Sequence, residues 1–341
     1  MAKLKYLIIF IVPISAMWSF FSNDWQTFLP VIIAFIVVPT LELFLKPDHN
    51  NLDKVSREMA EKSWFYSVVL YTILPIQLIA LYFFLTTWNQ EYSPVEIIGR
   101  ITSMGVMCGV FGINVGHELG HRDHRFEQFI GELLLLTSLE THFLIYHNYG
   151  HHFDVATRKD PATARKNEWL YSFWIRSQFG SYVKAWQLQT KLLKIKKVSF
   201  LSLDNRMLWY TIFQISMCIA IYLLFGMNVL LYFLVAAIFG ILLLETVNYI
   251  EHYGLWRKQK KSGRFEVVNP MHSWNSDHVV GRLLLFELSR HSDHHHRANK
   301  PYQILDSHPD SPQMITGYPG MMLLALIPPL WFKIMNNRIP S

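Results

Sequence analysis

Nine histidines fall in four short clusters, each just past an apolar stretch long enough to cross a membrane. They are His117 and His121 in HELGH, His147, His151 and His152 in HNYGHH, His252 in NYIEHYG, and His291, His294 and His295 in RHSDHH. Imidazole is a common ligand for borderline metals such as iron and zinc. A closed site uses about four protein ligands per ion. Nine are more than one ion can use and suit two. The chemistry to expect is that of a polynuclear metal centre at a membrane surface, which points to redox work.

The spacings say which rings can meet. His117 and His121 are four apart, which on a helix puts both on one face. The same five residues match the HExxH zinc-protease motif, with Glu118 as the base, and alone they do not separate the two readings. His147 and His151 repeat the spacing, and His152 lies about 100° further round a helix. Two of these rings are expected on one ion while the third turns to another. His291, His294 and His295 are expected to share a face, with Asp293 among them to hold an imidazole N–H. His252 is followed by no such partner, but Glu251 and Asn248 precede it, and Asp160 and Asp277 complete the expected supporting set. His49, His124 and His308 read as solvated loop residues, and His142, His272 and His278 as supporting ones; His296 extends the last cluster without a clear partner.

The elements that must position these residues are membrane helices. The chain is 51% hydrophobic and 16% charged, with mean hydropathy +0.19; soluble domains carry about 25% charge. Six segments have the roughly 20 apolar residues that a span needs: about 4–22, 28–46, 64–88, 95–116, 207–225 and 229–250. The apolar stretches 128–146 and 319–334 read as re-entrant or interfacial, the second broken by Pro328 and Pro329. The expected outer loops 23–27, 89–94 and 226–228 hold no Lys or Arg, which places both termini and all four clusters on the cytoplasmic side of the inner membrane. Arg100, near the outer end of the fourth span, is the exception. The first span lacks a good small-residue cleavage site and is expected to be retained. The expected fold is all-α: one membrane domain over 1–341 with a cytoplasmic histidine-rich cap made of 117–206 and 251–318.

Other classes are bounded by composition. Cys108 and Cys218 both lie in apolar runs, so a disulfide framework and a CxxC metal site are excluded, and any electron carrier must be a separate protein. The net charge of +6 comes with no nucleic-acid-binding pattern. Lys184, Lys191, Lys194, Lys196, Lys197, Arg257, Lys258, Lys260 and Lys261 form a basic surface that would steer an acidic carrier or meet anionic lipid. Gly105, Gly109, Gly112 and Gly116 in the fourth span suit close helix packing better than a cavity. Trp18, Phe21 and Leu244 are candidates to end a substrate cavity.

Longer motifs carry a resemblance. GINVGHELGH (112–121), HNYGHHFDVATRKDPATAR (147–165), NYIEHYGL (248–255), HSWNSDH (272–278), LSRHSDHH (288–295) and TGYPGMMLLALIPPLW (316–331) closely resemble the integral-membrane alkane hydroxylases, within the membrane desaturase and hydroxylase group. The likeness covers nearly the whole chain from about residue 28. It implies a non-haem di-iron site held by the nine histidines named above. It also implies O2-dependent hydroxylation of the terminal methyl of medium- or long-chain n-alkanes that enter from the bilayer. Electrons would come from rubredoxin and its reductase, or a ferredoxin-type donor. The chain departs from the family at Tyr146, usually Glu, at Ser289, usually Gln, and at His296, usually small. Fatty-acyl or alkyl-aromatic (xylene-type) hydroxylation and desaturation are the alternatives within the enzyme class. An intramembrane zinc protease and a metal transporter or sensor are those outside it. Oligomeric state is not encoded legibly.

Overall fold

The computed structural model describes residues 2–340, and among them it contains helices and turns but no strand. Six helices are long and apolar enough to cross a membrane: α1 (Lys3–Phe21), α2 (Asp24–Phe44), α3 (Trp64–Thr86), α4 (Pro94–Gly120), α7 (Arg206–Phe225) and α8 (Met227–His252). They match the six apolar segments read from the sequence. Between them lie α5 (Arg125–Leu136) and the 27-residue α6 (Leu170–Lys196). The stretch 319–334 forms two helices, α10 (Tyr318–Ala325) and α11 (Pro328–Met335), bent by 120° at the break. Pro328 and Pro329 sit in the first turn of α11, where a missing N–H costs nothing. The short helix α9 (His291–His296) carries the last histidine cluster.

Local chemistry starts and stops these elements. Ser93 and Glu96 form a reciprocal capping box with Pro94 in the first turn of α4. Asn205 caps α7 by accepting from the Leu208 N–H. Gly226, at φ 86°, is the only residue between α7 and α8, a conformation other residues rarely adopt. Three helical stretches widen into π geometry among the described residues: Ile33–Val37 within α2, Cys108–Ile113 within α4, and His147–His151.

Contacts group the chain into two compact units. The first comprises Met1–Ile36, Ser67–Ile145 and Ala185–Leu244. In it the glycines of α4 serve packing, as expected. A Cβ at Gly105 would fall 2.5 Å from Phe239 of α8, and one at Gly240 would fall 2.6 Å from Cys108 and 3.0 Å from the Gly109 backbone N. Ile113, Leu135, Phe143 and Leu144 form a buried cluster with Ile241 and Leu244 against it. Leu244 is therefore a packing residue. Trp18 and Phe21, offered above as cavity ends, instead point outward, at 61% and 63% exposed. Lipid solvates such surfaces, so large apolar side chains need not turn inward on a span. Arg100 is buried with its guanidinium 3.7 Å from the Tyr92 ring centre, donating to the carbonyls of Ser22 and Thr87. It fastens two loops, which explains a lone cation there.

The second unit comprises Val37–Tyr66, Tyr146–Lys184 and Glu245–Ser341. Buried Asp277 gathers it: its carboxylate meets His49 Nδ1 at 3.0 Å and accepts from Ser307 Oγ at 2.7 Å and Arg290 Nε at 3.1 Å. Arg290 also donates to the carbonyls of Leu305, Asp48 and Asn50. Arg176 forms a fork with Glu168, at 2.6 and 2.8 Å, and holds the carbonyls of Pro161 and Thr163. That fork anchors the loop that carries Asp160.

Candidate metal centre

The histidines of the second unit sort into two groups. His151, His252, His291 and His295 are all buried and each offers a nitrogen within 4.8 Å of the others. Within this group, His151 Nε2 faces His295 Nε2 at 3.2 Å, and His291 Nε2 faces His252 Nε2 at 3.3 Å. The second group joins His147, His152 and His294, whose nitrogens lie within the same limit, with His147 and His152 Nε2 atoms 2.9 Å apart. In the first unit, His117 and His121 point their Nε2 atoms at each other, 3.0 Å apart, as their spacing predicts.

Inside HNYGHH two rings join one group and the third turns to the other, as expected, and the structure decides which: His147 meets His152, and His151 turns away. The cause is the π turn: the His152 N–H reaches back to the His147 carbonyl, five residues away. That lengthens the turn by one residue and shifts which rings coincide. The last cluster is also divided rather than sharing one face. His291 and His295 turn to the first group, and His294 to the second.

The supporting residues are partly those expected. His151 Nδ1 lies 2.9 Å from Asp160 Oδ2, and His291 Nδ1 lies 3.2 Å from Glu251 Oε1. Burial alone would push the Asp160 carboxyl up. The facing His151 ring and hydrogen bonds from His151, Thr163 and Tyr146 outweigh it and hold the group well below the usual carboxylate range. Asp293 does something else: it accepts from Lys300 Nζ at 2.5 Å and the Asp306 N–H at 2.9 Å, and meets His308 Nε2 at 2.8 Å. His308 thus has a definite partner and is not merely solvated; its distance from the cluster in sequence hid that. His49, likewise expected in solvent, sits against Asp277. Asp277 meets the guanidinium of Arg290, the residue before His291, and the ring of His49 rather than that of a clustered histidine. Asn248 donates to Glu245 at 3.4 Å. Glu118 pairs with Arg122 at 2.8 Å, an ion pair that opposes its use as a protease base. His272 lies against Glu266 and Asn269, and His278 against Ser276.

Sequence reasoning missed two tyrosines. The Tyr146 hydroxyl donates to Asp160, and the Tyr318 hydroxyl donates to Glu251 Oε1 at 2.8 Å. Tyr146 stood out as a departure from a family pattern, though with no role attached. Tyr318 gave no signal, because nothing in GYPG marks it as a neighbour of span six.

These donors fit a metal ion. A neutral imidazole has one N–H. Where Nδ1 faces a carboxylate it carries that proton, so Nε2 of His151 and of His291 presents a lone pair. Lone pairs gathered in a buried site repel unless protons or a cation lie among them. Protons are disfavoured: burial pushes the His294 imidazole down to about 4 and that of His295 well below its ordinary value. An ion about 2 Å from each nitrogen sets neighbouring ligands about 3 Å apart, which is the spacing of the paired nitrogens.

The fatty acid desaturase family model matches residues 96–311. The alkane 1-monooxygenase of Ectopseudomonas oleovorans is 36% identical over 332 residues, covering 96% of this chain and 82% of its own. Alkane 1-monooxygenase 1 of Alcanivorax borkumensis is 36% identical over 96% of this chain and 81% of its own. The xylene/toluene monooxygenase hydroxylase component XylM of Pseudomonas putida is 27% identical over 98% of this chain and 88% of its own. With six apolar helices and a buried array of metal-competent histidines, the chain belongs to the alkane 1-monooxygenases of the fatty acid desaturase family, integral membrane oxidoreductases of the monooxygenase class.

Proposed function

We propose that this protein hydroxylates the terminal methyl group of medium- or long-chain n-alkanes at a non-haem di-iron centre. One iron is assigned to His151, His252, His291 and His295 and the other to His147, His152 and His294; the family resemblance adds His117 and His121 to the set of nine. The observation that carries the reading is the sorting of the histidines into two sets of nitrogen donors. The reaction consumes RCH3, O2, two electrons and two protons and yields RCH2OH and water. The irons supply O2 activation, which no side chain can provide. Asp160 and Glu251 hold the rings of His151 and His291 in one tautomer and orientation. Burial keeps His294 and His295 neutral and able to ligate. The apolar spans dissolve the alkane and keep water away from the reacting carbon.

Electrons are assigned to a separate rubredoxin-type carrier and its reductase. The exposed lysines Lys191 and Lys194 of α6, Lys197 just after it, and Lys258, Lys260 and Lys261 suit an acidic partner. Lys184 and Arg257 are removed from that surface by their bonds to Asp154 and to the Phe153 and Glu266 carbonyls. Both termini and the centre are placed on the cytoplasmic side by the distribution of Lys and Arg. Membranes containing the protein, supplied with rubredoxin, its reductase and an n-alkane series, should yield primary alcohols by gas chromatography. The purified protein should hold two irons per chain. One zinc per chain, or an alcohol-free product mixture, refutes the proposal.

A further inference from the structure

Two histidines of the four-membered group end matching strings of polar contacts, closed by a hydrogen bond at His151 and by a 3.2 Å ion-pair contact at His291. In the first, Tyr146 Oη donates to Asp160 Oδ1, and Asp160 Oδ2 faces His151 Nδ1 at 2.9 Å. In the second, Tyr318 Oη donates to Glu251 Oε1 at 2.8 Å, and the same oxygen faces His291 Nδ1 at 3.2 Å. Each string runs phenol, carboxylate, imidazole, and each directs an Nε2 into the same cluster. All six residues are buried, none more than 2% exposed. Tyr146 comes from the residue before the π turn and Tyr318 from the start of α10, so the repetition is not a product of one local motif.

We propose that Tyr146 and Tyr318 are positioning residues that set the donor strength and orientation of His151 and His291 toward the metal. This rests on the metal reading above. A carboxylate on Nδ1–H draws that proton toward itself and makes Nε2 a stronger donor. A phenol O–H bonded to the same carboxylate takes up part of its charge through a charge-assisted hydrogen bond, and so moderates the effect. It also fixes the carboxylate in place. Tyr146 Oη accepts from the Ala162 N–H at 3.0 Å, and Thr163 Oγ1 donates to Asp160 Oδ2 at 2.6 Å, so the loop and the carboxylate are locked together. Removing the hydroxyl leaves a buried carboxylate oxygen short of a donor, and the imidazole beyond it both freer and more basic.

The test uses Co2+ as probe on the purified, metal-stripped full chain in detergent, read by the visible absorption bands of the bound ion and by its dissociation constants. The wild type should bind two Co2+. Tyr146→Phe and Tyr318→Phe should each weaken one of the two about tenfold and shift its band, and the exposed control Tyr82→Phe should change neither. Replacing Tyr146 by 3,5-difluorotyrosine keeps the shape and strengthens the donor, so it should move the band the opposite way from Phe. Two ions bound with unchanged affinity and spectrum in the Phe variants would overturn the proposal, as would a difluorotyrosine shift in the same direction as Phe. If Tyr146→Phe does not give a monodisperse protein, the difluorotyrosine shift is compared with that of Tyr318→Phe, which acts on the same group of histidines. A wild type that binds no Co2+ would instead refute the metal reading itself, an outcome visible before any variant is made.

Discussion

At the scale of single residues, burial and partner decide what each histidine can do. His295 is buried among His151, His252 and His291, with its Nε2 3.2 Å from that of His151. His295→Ala should abolish alkane oxidation and remove close to one metal per chain by elemental analysis, with membrane insertion intact. His308 is bound to Asp293, whose carboxylate keeps Lys300 and the Asp306 N–H when the ring is gone. His308→Ala should therefore leave metal content unchanged and lower stability by about 1 kcal/mol, the worth of one hydrogen bond, seen in a thermal melt. His142 makes a different prediction. Burial pushes its imidazole down from 6.5 to about 4. Between those values the unfolded chain binds a proton that the folded chain refuses, so stability falls as pH falls through that window. Melting temperature should drop from pH 6.5 toward pH 4, and His142→Gln should flatten that part of the profile.

At the scale of elements, the π turn at His147–His151 is the device that distributes the rings. The His147 ring still stacks on His151, 5.1 Å between ring centres, but the turn decides where the ring nitrogens point. The extra residue lets His147 meet His152 and frees His151 for Asp160 and His295. Deleting Tyr149, which is 47% exposed, shortens the segment by that residue. The deletion variant should insert in the membrane yet lose metal, measured as iron per chain on the purified protein; full metal occupancy would show that the widened turn is incidental. Sequence spacing could not reveal this, because the α and π forms of HNYGHH use the same letters and differ only in which carbonyl accepts the His152 N–H. The six spans were legible for the opposite reason. A run of about 20 apolar residues has few stable alternatives in a bilayer, and capping residues such as Ser93 and Asn205 mark where helices begin.

At the scale of the whole molecule, the distribution of Lys and Arg carries the proposed orientation, and it can be checked directly. With Cys108 and Cys218 replaced by Ser, a cysteine at Lys260 should be shielded from a membrane-impermeant maleimide in intact cells, and one at Glu91 should react. The reverse labelling would place the histidine clusters outside. The sequence alone determined that this is a helical membrane protein, that nine of its histidines fall in four short clusters, and that its motifs are those of the alkane hydroxylases. Those properties reside in hydrophobic runs and in residue types at short separation, which survive being read one position at a time. Only the tertiary structure decided that His151 and His152 part company, that Asp293 serves Lys300 and His308, and that Tyr146 and Tyr318 stand behind the carboxylates of His151 and His291. Each of those depends on a turn's hydrogen bonding or on contacts between segments up to 144 residues apart, and spacing along the chain holds no record of either.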